Sequence, residues 1–374
     1  MATSSHVTAA NPTFALKLFG TLANHAPNEN LFFSPISIAL ALALAYNGAR
    51  GDTRRAIAAV LDRDDDPDDM NRANAELAHM LTRLDQHVQL TIANSLWVSD
   101  IFRMRGDYAQ IAERCYGAEV RRIDFAHMPV AQLINDWVNQ QTHGKIARIV
   151  DDVDRDAMLI LINAIYFKGG WTEPFNRQHT QPGHFTLPGG RQVERPMMAQ
   201  RGRYRYYEER GLQAVCLPYG GGRVGMYVFL PPPGVSLAEF GRKLSAKSWA
   251  AWMQRFSQTD GRIVLPRFRA EYAVKLNDAL GVLGMGIAFE PRADFGAMAG
   301  DGQRLRIDEV RHKAFVEVNE EGTEAAAVTS VGMMRASFMP QKSFSMIVDR
   351  PFVCAICDEY TGAILFMGAI VDPA

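Results

Sequence analysis

The pattern of apolar and polar residues divides the chain into a mainly helical first half and a second half dominated by strands. "SPISIALALALAYNGA", at 34–49, is apolar on every side, and Ser34 followed by Pro35 is typical of a helix start. A helix without a polar face is expected to be buried. "AQLINDWVNQQTHGKI", at 131–146, predicts a further, amphipathic helix that ends near Gly144.

Strand signals begin with "MLILINAIYF", an apolar run that starts at Met158. Two strands around the glycines at 220–222 predict a hairpin, and two buried C-terminal strands are expected to join at Thr361 and Gly362. No repeat and no Pro/Ser-rich linker divides the chain. The pattern therefore predicts one large α+β domain.

Asn163 is the only polar side chain in the apolar run from Met158. A buried amide without hydrogen-bond partners costs about 1–3 kcal/mol, so a small polar cluster is expected around it. Ser34, Ser37 and His312 are candidate partners. The alternative is that Asn163 only caps the end of a strand.

Composition and charge narrow the classes of partner. The 374 residues include 40 basic and 41 acidic side chains, a balance that argues against nucleic acid as a partner. No apolar run reaches the length of about eighteen residues that a membrane span needs. The acidic run "DRDDDPDDM", at 62–70, predicts a solvated loop and lacks the spacing of an EF-hand calcium site.

Motifs for catalysis or metal binding are not found. "GGGRVG", at 220–225, matches a dinucleotide fingerprint only formally, because a strand follows it and not a helix. A strand places Cys354 and Cys357 on opposite faces, which predicts buried free thiols and neither a disulfide nor a metal site. We expect no cofactor, no metal and no catalytic residues, although a hydrolase stays open as a class without a motif.

Long segments between Asn30 and Pro373 resemble the serpin family. The resemblance implies a single domain over residues 1–374 with three β-sheets, eight or nine helices and an exposed reactive centre loop at about 320–342. The segments follow in family order: "NLFFSPISIALALALAYNGARGDT", "WVNQQTHGKI", "LINAIYFKGGWTEPFN", "LPRFRAEYAVKLNDALGVLGM", "VRHKAFVEVNEEGTEAAA" and "DRPFVCAICDEYTGAILFMGAIVDP".

The resemblance implies inhibition of serine proteases by a suicide-substrate mechanism. In this mechanism the protease cleaves the loop, forms an acyl-enzyme, and is trapped when the loop inserts into the central sheet as a new strand. "EEGTEAAAVTSVGMMRASF", at 320–338, has neither a helical stripe nor a firm strand alternation, as expected of a segment that changes state. Its hinge would consist mostly of small residues: Gly322, Thr323, Glu324, Ala325, Ala326 and Ala327. On insertion Thr323 would face the core and Glu324 the solvent.

Two clusters in the central sheet are also implied by the resemblance. The shutter, where the sheet parts, corresponds to Ser34, Ser37, Asn163 and His312. The breach, where insertion starts, corresponds to Trp171, Arg267 and Glu320. We expect an ion pair between Glu320 and Arg267; the alternative is two solvated charges.

Inhibitory members of the family mostly place the reactive bond seventeen residues along, counting the hinge glutamate as one, so the resemblance implies a bond between Ala336 and Ser337. This register indicates a protease of elastase or subtilisin type. A register one residue shorter gives Arg335–Ala336, a trypsin-type target. Both registers stay open.

The alternative function is a non-inhibitory serpin, a binding or chaperone-like protein. Such relatives carry bulky or charged residues, or proline, in the hinge, whereas the hinge of this chain consists of small residues apart from Glu324. The expected partner is a target serine protease in a covalent acyl complex with a monomeric inhibitor. Heparin is not expected, because the run at 62–70 is acidic where basic residues would be needed. The first twenty residues lack a signal-peptide pattern, which favours a cytoplasmic location. The protein would be secreted if a signal had been removed from it.

Overall fold

A computed structural model describes residues 12–63, 66–81, 84–300, 302–323 and 343–374. None of the helices in these ranges has both the length and the apolar character that a membrane span requires. The helices are α1 (Pro12–His25), α2 (Pro35–Gly48), α3 (Gly51–Leu61), α4 (Pro67–Leu81), α5 (Gly106–Tyr116), α6 (Val130–Gln141), α7 (Leu237–Lys243), α8 (Ala246–Met253), α9 (Asn277–Leu280) and α10 (Gly296–Ala299).

The described residues also form fifteen strands. They are β1 (Leu31–Phe33), β2 (Val88–Ser99), β3 (Glu119–Ile123), β4 (Leu159–Gly170), β5 (Gln181–Thr186), β6 (Gln192–Glu209), β7 (Leu212–Tyr219), β8 (Val224–Leu230), β9 (Ser257–Pro266), β10 (Phe268–Lys275), β11 (Glu309–Val318), β12 (Gly322–Thr323), β13 (Phe344–Ile347), β14 (Phe352–Asp358) and β15 (Ile364–Ile370).

Six strands form the central sheet, in the order β10-β11-β12-β4-β2-β3. β4 and β11 run parallel and pair directly from Ile160 and Glu309 to Tyr166 and Phe315. β12 is only two residues long and lies between their ends, antiparallel to both. β4 and β11 are therefore paired along most of their length and are separated at one end by the short strand β12.

The remaining nine strands form a second hydrogen-bonded network, which divides at the eighteen-residue strand β6. The first part of β6 pairs with β5 and its middle with β9, and β13 joins on the far side of β9. The last part of β6 pairs with β7, which continues through β8, β14 and β15 to β1. Together with the central sheet, these two parts give the three sheets that the family resemblance implies.

Helices cover both faces of the central sheet. Ile134, Trp137 and Val138 of α6 are buried against Trp97 of β2 and Ile160 of β4 on one face. The apolar helix α2 packs against β2, β4 and β15 on the other face. As predicted, α2 begins after Ser34, whose side chain accepts a hydrogen bond from the backbone N–H of Ser37.

One local expectation was wrong in part, one was incomplete and one is confirmed. The acidic run was expected to be a loop, but Pro67 begins α4, where the missing N–H of proline and the negative charges of Asp68 and Asp69 favour the first turn. The first half also contains β2, a twelve-residue strand that the helical pattern did not indicate. Cys354 and Cys357 are buried free thiols, as expected.

Candidate functional site

The candidate site is the place where β12 separates the ends of β4 and β11. Gly322 and Thr323 of β12 pair with Gly170 and Gly169 of β4, and Thr323 also pairs with Val318 of β11. Immediately beyond this point β4 and β11 pair with each other. The first two residues of the predicted hinge thus already occupy the position of a new strand.

Gly322 fits this position because it lacks a side chain. Its backbone has a φ of +146°, a conformation that residues with a Cβ rarely adopt. A Cβ built on Gly322 would lie 2.1 Å from the carbonyl oxygen of Gly169 and 2.7 Å from the Cα of Gly170. Both neighbours are backbone atoms of β4, so they cannot move aside without disturbing the sheet.

Thr323 is held by an aromatic pair from outside the central sheet. Its side chain is fully buried, as expected for the inward face of an inserted strand. Its hydroxyl shares a 2.7 Å hydrogen bond with the hydroxyl of Tyr219, and the Tyr219 ring stacks on Trp171 with centroids 4.3 Å apart. The sequence did not indicate Tyr219, because it lies on β7, about a hundred residues away along the chain.

The predicted breach residues meet just before β12. Arg267 donates to one carboxylate oxygen of Glu320 from Nε at 2.8 Å, and the indole Nε1 of Trp171 donates to the backbone carbonyl of Asn319 at 2.9 Å. The Glu320 side chain is only 3% exposed, so this ion pair is not a contact between two solvated charges. Burial alone would raise the pKa of Glu320, but hydrogen bonds from Arg267 and Thr180 outweigh it and hold that pKa below its usual value.

The four predicted shutter residues also meet, in the middle of the β4–β11 pairing. His312 and Asn163 are paired residues of the two strands, and His312 Nδ1 lies 2.5 Å from Asn163 Oδ1. The Asn163 amide donates to the backbone carbonyl of Ser37 at 3.1 Å and also contacts the Ser37 hydroxyl. The backbone N–H of Ser34 donates to His312 Nε2 at 3.2 Å. The cluster ties the two strands to each other and to the start of α2.

This geometry defines the protonation state of His312. Nε2 accepts from a backbone N–H, so the ring proton lies on Nδ1 and is donated to Asn163. All contacts of the ring are uncharged and the side chain is fully buried; this burial lowers the pKa of His312 to about 3. A neutral imidazole is therefore part of the closed sheet.

Asn94 completes the cluster and was missed from the sequence. It lies opposite Asn163 in the β2–β4 pairing and accepts a 2.6 Å hydrogen bond from the Asn163 amide. Within the described ranges, the Asn94 side-chain nitrogen is the one buried side-chain nitrogen or oxygen atom that lacks a hydrogen-bond partner. The same signal that pointed to Asn163, a lone amide in an apolar run, is present in "TIANSLWV" of β2.

The other predicted loop residues lie outside the described residues. These are the hinge residues Glu324, Ala325, Ala326 and Ala327, and the reactive-bond candidates Arg335, Ala336 and Ser337.

Beyond the loop, the chain is anchored again at β13. Phe344, its first residue, stacks on Tyr206 of β6 with ring centroids 3.9 Å apart and covers Gly261 of β9. The twenty residues between Thr323 and Phe344 thus connect two fixed points on different sheets.

Comparison with known proteins identifies the family that shares this arrangement. The family model for the serpins, described as serine protease inhibitors, matches residues 9–373. The chain is a serpin. It is 34% identical over 380 residues to leukocyte elastase inhibitor A of Rattus norvegicus, a match covering 98% of this chain and 99% of that protein. It is 37% identical over 368 residues to an uncharacterized serpin-like protein of Thermococcus kodakarensis, covering 96% of this chain and 84% of that one.

Solved serpin structures resemble this serpin over nearly its whole length. The thermophilic serpin tengpin, in its native state, superimposes with a TM-score of 0.91 at 30% identity and covers 100% of this chain and 95% of its own. Human thyroxine-binding globulin, in complex with its ligand, gives a TM-score of 0.90 at 26% identity, with 98% of each chain covered.

Gly322→Ala is expected to expel β12 from the central sheet, because the new Cβ would clash with the backbone of β4. The loss should be about 2 kcal/mol or more in the free energy of unfolding, measured with urea. Gly234→Ala is the matched control: Gly234 also has a positive φ, of +82°, but open space around it. Equal losses in the two variants would contradict the steric argument.

Stability is expected to fall as the pH drops below about 6.5, because unfolded His312 binds a proton that the folded protein rejects. The folded pKa of about 3 lies below the unfolded value, so the contribution is complete above pH 6.5 and is lost towards pH 3. Between pH 8 and pH 5 the loss should be about 2 kcal/mol, before most carboxylates titrate. Urea unfolding of His312→Gln over the same range should lack this slope; an unchanged slope would assign it to other groups.

Proposed function

We propose that this serpin inhibits serine proteases as a suicide substrate. The observation that carries the proposal is β12, a two-residue strand that starts a sixth position in the sheet while β4 and β11 still pair beyond it. Addition of a strand from the loop is a known serpin transition. The remaining hinge residues would extend β12 along the same line.

The covalent step would begin when the serine hydroxyl of the protease adds to the carbonyl carbon of Ala336. The peptide C–N bond then breaks, and Ser337 leaves as a free amine that takes its proton from the protease histidine. The products are an ester between Ala336 and the protease serine and a new N-terminus at Ser337. In the alternative register the same bonds form and break at Arg335 and Ala336.

Cleavage would free the hinge to continue into the sheet. About fourteen inserted residues would span ~46 Å, comparable to the ~40 Å of β4. The single hydrogen-bond ladder between β4 and β11 would be replaced by two, one from the inserted strand to each of them. The net gain in the free energy of unfolding would be on the order of 10 kcal/mol. Insertion must separate His312 from Asn163 halfway along the β4–β11 pairing, so the shutter would act as a barrier.

A second candidate function is ligand binding without inhibition. It is favoured by the similarity to thyroxine-binding globulin, whose name states that it binds thyroxine. The hinge argues for the inhibitor, because none of the residues from Gly322 to Ala327 is a proline or an aromatic residue, and Glu324 falls on the face expected to meet solvent.

The test is incubation with a panel of elastase-, subtilisin- and trypsin-type proteases, followed by denaturing electrophoresis. An inhibitor should give a covalent complex that survives denaturation and a released C-terminal peptide whose mass identifies the bond. Cleavage without any complex would instead support the binding protein.

Cleavage of the loop should raise the thermal unfolding midpoint, because the freed strand can enter the sheet. A gain of about 10 kcal/mol corresponds to a shift of roughly 10–15 °C for a chain of this length. Calorimetry before and after limited proteolysis between residues 329 and 337 measures it. Thr323→Arg is the control: its unpaired charge cannot enter the buried site beside Tyr219, so cleavage should leave its midpoint unchanged. An unchanged midpoint in the original protein would contradict insertion.

Two variants decide the register of the reactive bond. Ala336→Asp should abolish complex formation with an elastase. Arg335→Ala should abolish complex formation with trypsin and leave the elastase complex intact, because a charged side chain discriminates between proteases more strongly than a methyl group. If Arg335→Ala removes all inhibition, the bond is Arg335–Ala336.

A further inference from the structure

Three arginines lie together on the outer face of the strands next to the end of the loop. Arg201 and Arg203 of β6 are both exposed and, being two residues apart, share one face of the strand. Arg262 of β9 is exposed and pairs directly with Arg201. We call Arg201, Arg203 and Arg262 the arginine patch.

The arginine patch places like charges in the least favourable position of a β-ladder. The Cβ atoms of directly opposed residues are about 5 Å apart, and like charges there destabilise the pair. Asp260 pairs with Arg203, but among the residues that the structure describes no patch guanidinium lies within salt-bridge distance of a carboxylate. This contrasts with Arg205 on the same strand, which forms a 2.6 Å ion pair with Glu359.

The arginine patch lies next to β13, the strand that follows the loop. Ser345 of β13 pairs with Arg262, and Ile347, two residues on, is 44% exposed. β13 starts only seven residues after Ser337, a distance of at most ~25 Å in extended chain. A protease of about 200 residues has a radius of gyration of about 16 Å. One that is bound at the reactive bond would therefore reach over this face.

We propose that the arginine patch, with Ile347 beside it, is an auxiliary docking surface for an acidic face of the target protease. This inference rests on the proposed function. Arginine is enriched at protein interfaces, and uncompensated charges at the rim of an interface act mainly by steering association. Three arginines with an exposed isoleucine beside them suit a protein surface better than a polyanion, because a polyanion gains nothing from contact with the isoleucine.

The inference predicts a rate effect separate from the inhibitory chemistry. The triple variant Arg201→Ser, Arg203→Ser, Arg262→Ser should form complex about three- to ten-fold more slowly with a protease whose surface is acidic. The difference should disappear in about 1 M salt, where the screening length is ~3 Å. The stoichiometry of inhibition and the persistence of the complex should not change, because the loop and the central sheet are untouched.

The control removes the same charge away from the patch. Arg103, Arg114 and Arg304 are also exposed: Arg103 and Arg304 lie beyond the start of β4, ~36 Å along that strand from β12, and Arg114 lies on α5. Their serine triple variant should associate at the original rate.

The measurement is the association rate constant with an anionic and a cationic protease of the same primary specificity, two trypsins or two elastases, at low and high salt. A loss confined to the patch variant, the anionic protease and low salt supports the proposal. Equal association rates for the patch and control variants overturn the proposal and leave the proposed function intact. A patch variant that differs from the original protein only in its retention on immobilised heparin has the same meaning. If neither protease forms a complex with the unmodified protein, the proposed function fails and this inference fails with it.

Discussion

The direct pairing of β4 with β11 is the constraint on which the rest of the structure depends. The two strands run parallel and are joined across their middle by the buried contact between His312 and Asn163. Because Ser34, the N-cap residue of α2, donates its backbone N–H to His312, the start of the helix behind the sheet shares that contact. A further strand between β4 and β11 would have to separate this contact together with the backbone ladder on either side of it.

Much of the candidate site could be predicted from the sequence, because burial limits what a polar residue can do. A single amide in the apolar run of β4 required partners, and Ser37 and His312 supply them in the structure. Asn94 escaped because β2 was not recognised as a strand in a region with a helical pattern. Once β2 is placed beside β4, the two amides face each other by register alone.

The remaining contacts could not be predicted because they depend on distances between segments remote in the chain. Tyr219 can bond to Thr323 only because the end of β7 lies beside the ends of β4 and β12. The sequence alone could not decide whether Glu320 and Arg267 form a buried ion pair or remain two solvated charges, since a polar segment is compatible with either arrangement. The buried carboxylate decides between them, and its surroundings come from three different parts of the fold.

The two residues of β12 have a kinetic consequence. Starting an ordered segment is usually its slowest part, because several residues must be fixed before the first bonds form. Here Gly322 and Thr323 are already fixed in the ladder, so under the proposed function insertion resembles the propagation of an existing nucleus. The time needed to trap a protease would then be set by the rate at which the ladder advances past His312. Inhibition would succeed when this rate exceeds the rate at which the acyl-enzyme is hydrolysed.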